Sequence, residues 1–571
     1  MDEDVRERVE AAAEESALYN ALKHDSDAQV GAIMGPLMGE NPEFREYGNE
    51  VAGVVAPVVG RVNDRSRDEQ RERLAELAPD RLEELESEDE DEDDDQPLPD
   101  LSNVEACDEV RMRLAPNPNG PWHLGSARMP AVIGTYREMY DGWMLCRFDD
   151  TDPETKRPDP DAYDAILDSL GYLGFEPDET VRASDRLDVY YDHARELVEL
   201  GGAYTCSCPA EEFSESKNAG EACPHRNKAP ETVREEFETM VAGEYDAGEM
   251  VLRIKTDIDH KNPALRDFVG FRMVDTPHPR AEAADYRCWP MLDFQSGVDD
   301  QLTGITHIVR GIDLQDSAKK QRFLYDYFGW EYPEVVHWGK VQVDAYDVPM
   351  STSTIREMVE SGELTGWDDP RAPTLASLRR RGIRGEAIVD AMVELGTSAS
   401  NVDLAMSSVY ANNRDLVDDE TDRAFFVRDP VERPLHGGPD EGSPPVHPDH
   451  EDRGRRSIHV GEAVVVEPDD LPGEGQRVWL KGYGCVRDTG DALEYTGEDI
   501  DAVREGDVDV VHWAPADGPE LRLRTIDGDV TGVAEPGIAE YDADTLLQFE
   551  RVGFARLDAL ADPIVACYTH P

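Results

Sequence analysis

The chain has 571 residues, with 125 Asp and Glu against 57 Lys and Arg, a formal net charge of −68 and eight cysteines. This length accommodates three or more domains, and 39% hydrophobic content excludes a disordered acidic solvating protein. The eight scattered cysteines form no disulfide framework, no apolar run is long enough to span a membrane, and the acidic start Met1-Asp-Glu-Asp shows no secretory or transit peptide.

A reducing cytoplasm is therefore the expected location. The acid is spread along the whole chain. Such a surface repels itself in dilute buffer, whereas at molar salt the Debye length falls to ~3 Å and the repulsion is screened. This composition suits a salt-loaded cytoplasm such as that of a halophilic archaeon. It argues against DNA and membrane surfaces, and it leaves an RNA partner to be held by shape, stacking and hydrogen bonds.

Residues 1–87 read as a helical appendage, with apolar faces on Ala11–Leu22 and Val51–Val62. The block Glu88–Asp95, followed by Gln96-Pro-Leu-Pro, makes 88–100 an acidic linker. Over 101–200 strands alternate with helices, as a parallel nucleotide-binding sheet requires. Val110, Met112 and Leu114 alternate with charged residues, the Pro/Gly-rich run 115–121 breaks the pattern, and a helix opens after His123. A helix opening just after a strand presents free N–H groups to a phosphate. His123 can donate to that phosphate, and Gly125 lets a flat ring approach the backbone, so this turn is suited to ATP.

Residues 201–285 interrupt the alternation and carry Cys206-Ser-Cys208 and Cys223-Pro-His225. Four borderline ligands in two tight pairs suit a closed tetrahedral Zn²⁺. The sheet resumes over 286–365, with Gly304–Arg310 and Val335–Trp338 as strands. Helices are expected over 366–425, and 426–571 reads as all-β barrels, from runs such as Val464–Pro468 and Gln476–Leu480. Arg379-Arg380-Arg381 and Arg453–Arg456 read equally as solvated faces or RNA contacts. His447-Pro-Asp-His450 reads as incidental rather than metal-binding.

The run Arg111–Arg128 resembles the first signature of class I aminoacyl-tRNA synthetases, with Ser126 at its looser fourth position. Its flank Arg113-Leu-Ala-Pro-Asn-Pro-Asn-Gly120 resembles the glutamyl/glutaminyl branch. The resemblance implies an ATP site at Pro116, Asn117, Pro118, Gly120, His123, Gly125 and Ser126. Val348–Arg356 resembles the second signature, so Met350, Ser351, Thr352 and Ser353 would steady the phosphates. Thr354 stands where archaeal relatives often have Lys, and no Lys lies between Lys340 and the end of this loop. Either Mg²⁺ and Arg356 supply the missing charge, or turnover is slow.

Arg147-Phe-Asp-Asp-Thr-Asp-Pro153 resembles the motif that grips the substrate α-amino group, here through Asp149 with Asp150. The alternative is a helix cap. Gly304-Ile-Thr-His-Ile-Val-Arg310 resembles the segment that chooses the amino acid. The glutaminyl branch has a small thiol residue at the Arg310 position, so Arg310, with Arg113, points to a side-chain carboxylate. The alternative for Arg310 is a salt bridge to Asp313. Leu292 departs from the Tyr of the family. Gly366-Trp-Asp-Asp-Pro-Arg371 resembles a hallmark of the same branch.

The resemblance covers nearly the whole chain, in its archaeal form. It implies a Rossmann-type catalytic domain with a zinc-containing, acceptor-end-binding insertion, a helical stem-contact domain and anticodon-binding β-barrels. The implied reaction uses ATP and Mg²⁺ to attach L-glutamate to the 3′ end of tRNA(Glu) through a glutamyl-adenylate. Extension to tRNA(Gln), with a downstream amidotransferase, stays open. The alternatives are a glutaminyl enzyme, opposed by Arg310, and a non-catalytic tRNA-binding relative.

Overall fold

The computed structural model describes residues 3–571, apart from 24–27, 29, 32, 35–36, 38–43, 45–46, 64, 79–80, 82–95 and 344. The acidic block of the expected linker lies outside the described residues. The chain forms two compact units, Met1–Pro99 and Asp100–Pro571.

The first unit is helical, as its apolar spacing predicts. Helices Glu3–Lys23, Gly48–Asn63 and Arg67–Leu77 enclose a core that includes Val9, Ala13, Leu18, Val55 and Val58. The third helix starts with a capping box in which Ser66 and Glu69 satisfy each other's backbone N–H groups. Glu14 on the first helix ties the unit together by accepting from Arg65 at 2.8 Å and Arg73 at 3.2 Å.

The second unit opens with three parallel strands, β1 (Arg111–Leu114), β2 (Trp143–Phe148) and β3 (Glu179–Arg182). An antiparallel sheet follows, made of β4 (Ala203–Cys206), β5 (Val251–Ile254), β6 (Val269–Met273) and β7 (Cys288–Pro290). Parallel strands β8 (His307–Gly311) and β9 (Glu334–Trp338) then resume the first sheet. The Thr306 N–H donates to the Arg111 carbonyl at 2.9 Å, which joins the β8 side to β1. The strands thus run β3-β2-β1-β8-β9, the doubly wound order that reverses beside β1 and opens a crevice at the strands' carboxyl ends. The expected alternation in β1 fails at one point. Met112, Arg113 and Leu114 are all buried, because strands of a parallel sheet are covered on both faces.

An antiparallel sheet stands between β3 and β8 in the chain. β7 contains Trp289 and Pro290 and pairs with β6, so the inserted sheet extends past residue 285. Its core is aromatic, with Phe271 and Phe294 in T-shaped contact at 4.8 Å between ring centres.

Helices Leu375–Arg380, Gly385–Glu394 and Met406–Val417 follow the catalytic sheet. The remainder is β, in two seven-stranded sheets. In one, the edge strands are Asp422–Ala424 and Phe426–Arg428, separated only by Phe425. In the other they are Val510–Val511 and Ala514–Pro515. Edges so close along the chain mean that each sheet curls back on itself in a barrel-like way. Each encloses its own core, one with Phe426, Leu547 and Phe549, the other with Leu480, Val486 and Trp513. Among the described residues no helix is long and apolar enough to cross a membrane.

Of the two arginine clusters, Arg380, Arg381, Arg453 and Arg456 are tied into this half of the fold, whereas Arg379 stays exposed and reaches back to the helix Ala162–Tyr172. Arg379 pairs with Asp168 at 2.8 Å, Arg380 with Asp558 at 2.7 Å, and Arg381 is buried. Arg453 pairs with Asp422 at 3.2 Å, and Arg456 with Glu535 at 3.2 Å and Glu550 at 3.1 Å. His447 Nε2 lies 3.0 Å from the Asp418 carbonyl.

Candidate active site

A cavity of about 620 Å³ opens at the crevice. From the first motif it is lined by Arg113, Pro116, Asn117, Gly120, His123, Gly125 and Ser126. Asp149, Arg310 and Thr352 complete the expected set on its wall. The first turn is built as its sequence suggests. His123 precedes a 3₁₀ turn, Leu124–Ala127, which leads into the helix Arg128–Met139. The His123 ring lies over Gly125, where an added Cβ would sit 3.3 Å from Nδ1, and Ser126 Oγ is 3.4 Å from that nitrogen. Burial pushes the His123 imidazole below its ordinary value, so it is neutral at pH 7.

The two motifs meet at Gly120. A Cβ there would lie 2.5 Å from the Thr352 methyl and 3.3 Å from Trp367, so glycine is what permits the approach. Ser351 caps the helix Thr352–Ser361, and its Oγ lies 3.1 Å from Ser353 Oγ. Met350 comes within 3.7 Å of the Cβ position of Gly125. Met350, Ser351 and Ser353 do not line the cavity, and Thr352 is the loop's member on its wall. Pro118 is buried behind the wall, its carbonyl accepting from the Asp159 N–H at 2.8 Å. Arg356 is also turned away from the cavity. It donates to the Asn119 carbonyl and pairs with Asp159 at 2.9 Å, which braces the two loops. The ammonium groups on the wall are instead Lys156 and Lys340, the latter 3.6 Å from Asp313.

Asp149 and Asp150 part company. Asp149 lines the cavity and accepts from Arg147 Nε at 2.7 Å and Gln295 Nε2 at 3.0 Å. Burial holds its carboxyl above the usual range against the pull of Arg147. Asp150 is fully buried away from the cavity. It accepts from the Tyr163 hydroxyl at 2.7 Å and from the Ser184 N–H and hydroxyl at 2.8 and 2.7 Å. It is neither a substrate contact nor a helix cap, since the next helix starts at Ala162. It ties β2 to the segment after β3.

The deep end of the cavity holds a charge network that the motifs only partly foretell. Arg113 Nε and Arg147 Nη1 donate to one oxygen of Asp300, at 3.2 and 2.6 Å. Arg310 Nη2 lies 4.0 Å from the other oxygen, and Arg310 Nη1 donates to Gln321 at 3.2 Å. Asp313 pairs with Lys340, not with Arg310. Asp299 accepts from Arg186 at 2.8 Å and Tyr190 at 2.6 Å. Four guanidiniums thus face three carboxylates, Asp149, Asp299 and Asp300. Among the described residues, Arg310 Nε, Arg147 Nη2 and Asp300 Oδ2 are buried without a hydrogen-bond partner. Burial, then repulsion from Arg113, holds the Arg310 guanidinium below its ordinary value. Such an under-compensated cluster favours an incoming carboxylate.

Sequence reasoning missed Arg147, Gln295, Asp299, Asp300 and Gln321. A signal existed for some: Arg147 sits within the apolar run of β2, and Gln295 and Asp299 share a face at i, i+4 of a helix buried from Phe294 to Asp300. Leu292 is 41% exposed at the cavity mouth. The Gly366–Arg371 segment is structural. Buried Asp369 accepts from Arg371 at 2.8 Å and from the Thr365 N–H at 3.0 Å. The turn it holds lets Leu124 and Leu375 exchange backbone bonds with Pro373 and Trp122 at 2.8 and 3.0 Å.

In the insertion, one ligand atom from each of Cys206, Cys208, Cys223 and His225 lies within 4.8 Å of the others. Cys223 Sγ is 3.5 Å from Cys206 Sγ and 3.4 Å from Cys208 Sγ and from His225 Nδ1. Tetrahedral zinc–thiolate bonds of about 2.3 Å separate sulfurs by only slightly more than this, so the four residues fit that ion.

Residues 109–419 match the family model for the catalytic domain of tRNA synthetases class I (E and Q), and 421–503 match that family's anti-codon binding domain. The chain is 71% identical over 581 aligned residues to the glutamate–tRNA ligase of Haloarcula marismortui, covering 100% of both chains. It is 68% identical to those of Natronomonas pharaonis and Halobacterium salinarum, again over 100% of both. With a curled β region behind a nucleotide-type crevice and both family domains in sequence, the chain belongs to the class I tRNA synthetases of the E and Q type.

Proposed function

We propose that the chain is a glutamate–tRNA ligase. Glutamate and ATP give glutamyl-adenylate and pyrophosphate, and the ribose 2′-hydroxyl at the tRNA 3′ end then attacks the activated carbonyl, breaking the acyl–phosphate bond and releasing AMP and a proton. The carrying observation is the deep end of the cavity, where Arg113, Arg147 and Arg310 crowd around the single carboxylate of Asp300 and, among the described residues, Arg147 Nη2 and Arg310 Nε have no hydrogen-bond partner. A carboxylate side chain completes that set. A neutral amide would leave a buried guanidinium poorly paired, a penalty of about 1–3 kcal/mol or more.

Asp149 is placed on the wall to take the substrate ammonium, while Arg147 and Gln295 fix its orientation. Neutral His123 can donate one ring N–H to a phosphate oxygen, and Gly125, lacking a Cβ, leaves room for the His123 ring to lie over the turn. Lys156 and Lys340 supply cations beside the triphosphate, which enters with Mg²⁺. No side chain needs to bond covalently; positioning and charge stabilisation suffice. Cys206, Cys208, Cys223 and His225 would hold zinc as a cross-link between β4 and the following turn, with no position left for substrate. Residues 366–425 and 426–571 would carry the stem and anticodon contacts.

The test is charging of separate glutamate and glutamine tRNAs in molar KCl with labelled glutamate or glutamine. Glutamate on the first tRNA alone marks a discriminating ligase. Glutamate on both requires an amidating reaction downstream. Glutamine on either, or no charging, overturns the reading. Metal analysis of the purified chain and of Cys223→Ser checks the zinc site, with about one zinc per chain expected in the first and none in the second.

A further inference from the structure

Asp149 stands on a stretch with no regular structure of its own. Residues 149–161 form neither helix nor strand, yet Asp149, Thr151, Asp152 and Lys156 all line the cavity. A turn that aims a carboxylate needs its peptide groups held by partners elsewhere in the chain. Two holds come from the first motif. The Asp149 N–H donates to the Pro116 carbonyl at 2.9 Å, and Asn117 Nδ2 donates to the Asp149 carbonyl at 2.9 Å. The next peptide, between Asp150 and Thr151, is reached from the insertion. There His278 Nε2 lies 3.0 Å from the Asp150 carbonyl, across 128 residues of chain.

His278 belongs to the connection between β6 and β7, and its side chain is fully buried. Its ring is stacked on Trp289, with centres 5.3 Å apart. The Arg280 N–H donates to its Nδ1 at 3.2 Å. That nitrogen therefore offers a lone pair, and Nε2 carries the proton that the Asp150 carbonyl accepts. Burial, against the pull of Asp150, holds the imidazole below its ordinary value, so this neutral form persists at pH 7. The Asp150 side chain is braced from the same segment. Arg280 Nη1 donates to Ser184 Oγ at 2.6 Å, and that hydroxyl donates in turn to Asp150 Oδ2 at 2.7 Å. Other contacts from the insertion fall farther along the turn. Arg272 pairs with Asp152 at 2.7 Å, and Arg157 donates to the Pro153 and Pro277 carbonyls at 3.1 and 2.9 Å. Among the described residues, only His278 donates to the Asp150 carbonyl.

We infer that His278 is a positioning residue for the ligase reaction: its Nε2–H fixes the Asp150–Thr151 peptide, and thereby aims Asp149 at the substrate ammonium. This rests on the reading of the chain as a glutamate ligase with Asp149 as its ammonium contact. Rotation of that peptide is the motion the bond forbids, and the two residues flanking it on the wall, Asp149 and Thr151, would turn with it. The arginine pocket and the ATP turn carry none of this load, so the effect falls on one end of one substrate.

The experiment compares His278→Met, which keeps much of the volume and loses the donor, with His278→Gln, whose amide can still donate. Charging of glutamate tRNA by the full chain in molar KCl gives KM for glutamate and for ATP. Inhibition by glutarate, which is glutamate without its α-amino group, reports the arginine pocket alone. His278→Met should raise KM for glutamate about tenfold and leave KM for ATP and glutarate inhibition within about twofold, while His278→Gln should recover most of the loss. Nitrogen NMR of the unaltered chain labelled in histidine, with the His278 signals assigned by their absence from His278→Gln, should show a proton on Nε2 and none on Nδ1. The opposite tautomer, an unchanged KM for glutamate in His278→Met, or equal weakening of glutamate, ATP and glutarate overturns the positioning role alone. If the unaltered chain charges no glutamate, the ligase reading falls and this role falls with it.

Discussion

Two deeply buried arginines show opposite treatment of the same group. Arg381, at the junction of the helices with the first β sheet, donates to the carbonyls of Tyr568 and Thr569 at 2.9 and 2.7 Å. It also donates to the hydroxyls of Tyr346 and Tyr410 at 2.8 and 3.1 Å. Arg310, at the deep end of the cavity, has one hydrogen bond, to Gln321, and a carboxylate at 4.0 Å. One is 1% exposed and the other 6%, so burial alone does not separate them. Saturation does. A saturated guanidinium clamps chain segments together, whereas one with a spare donor beside a cavity holds binding energy in reserve for a ligand.

The sharpest way to break this comparison is to remove each charge. Arg310→Gln should lower kcat/KM for glutamate by about 10³-fold, about 4 kcal/mol, as expected when one member of a buried charge pair is truncated. Its thermal midpoint should stay near that of the wild type, because the guanidinium was under-compensated. Arg381→Gln should do the reverse, costing about 3 kcal/mol of stability through several orphaned acceptors while KM for glutamate is unchanged. Steady-state charging and denaturant melts in molar KCl measure both. Equal destabilisation by the two variants would make Arg310 a structural residue.

The same contrast explains what was legible in the sequence. Arg310 and Arg381 were both visible as residues, but only the motif around Arg310 pointed to a ligand. The Arg379–Arg381 run offered no means of telling a solvated face from a clamp, because its partners Tyr568 and Thr569 lie almost two hundred residues away. The turns at His123 and Ser351 were readable because helix starts and glycine approaches are local. Asp150 was misread for the opposite reason. Its neighbour Asp149 lies on the same short turn, and only the long-range positions of Tyr163 and Ser184 decide which carboxylate faces the cavity. Asp300 was missed because its meaning comes from Arg113 and Arg147, 187 and 153 residues upstream.

A smaller effect probes the loops that close on ATP. Gly120→Ala would place a Cβ 2.5 Å from the Thr352 methyl, forcing apart the two loops braced by Arg356. Misplacing the phosphate groups should lower kcat about tenfold, roughly 1.4 kcal/mol. KM for glutamate should change by less than about twofold, since the arginine pocket is not touched. A change confined to KM would show that the contact shapes the amino-acid pocket instead.

The smallest effect is a pair of opposed pH dependences in the β region, where charge is again either buried in excess or well compensated. Glu535 accepts from the Phe425 N–H at 2.9 Å and pairs with Arg456 at 3.2 Å. Burial nonetheless pushes its carboxyl from 4.5 up to about 7. The folded chain therefore keeps a proton that the unfolded chain releases near 4.5. Its stabilising contribution is complete below that pH and is lost as pH rises through about 7. Glu467 is also raised by burial, but His512 at 3.6 Å and Arg428 at 2.7 Å outweigh this and bring it down to about 2. Its contribution is present above 4.5 and is lost as pH falls toward 2. Urea midpoints measured across pH in molar KCl should thus lose their fall between pH 4.5 and 7 in Glu535→Gln, and lose part of their acid-side fall in Glu467→Gln. An unchanged slope in Glu535→Gln would mean that Arg456 holds that carboxylate ionised in the folded chain, placing it with the saturated groups such as Arg381.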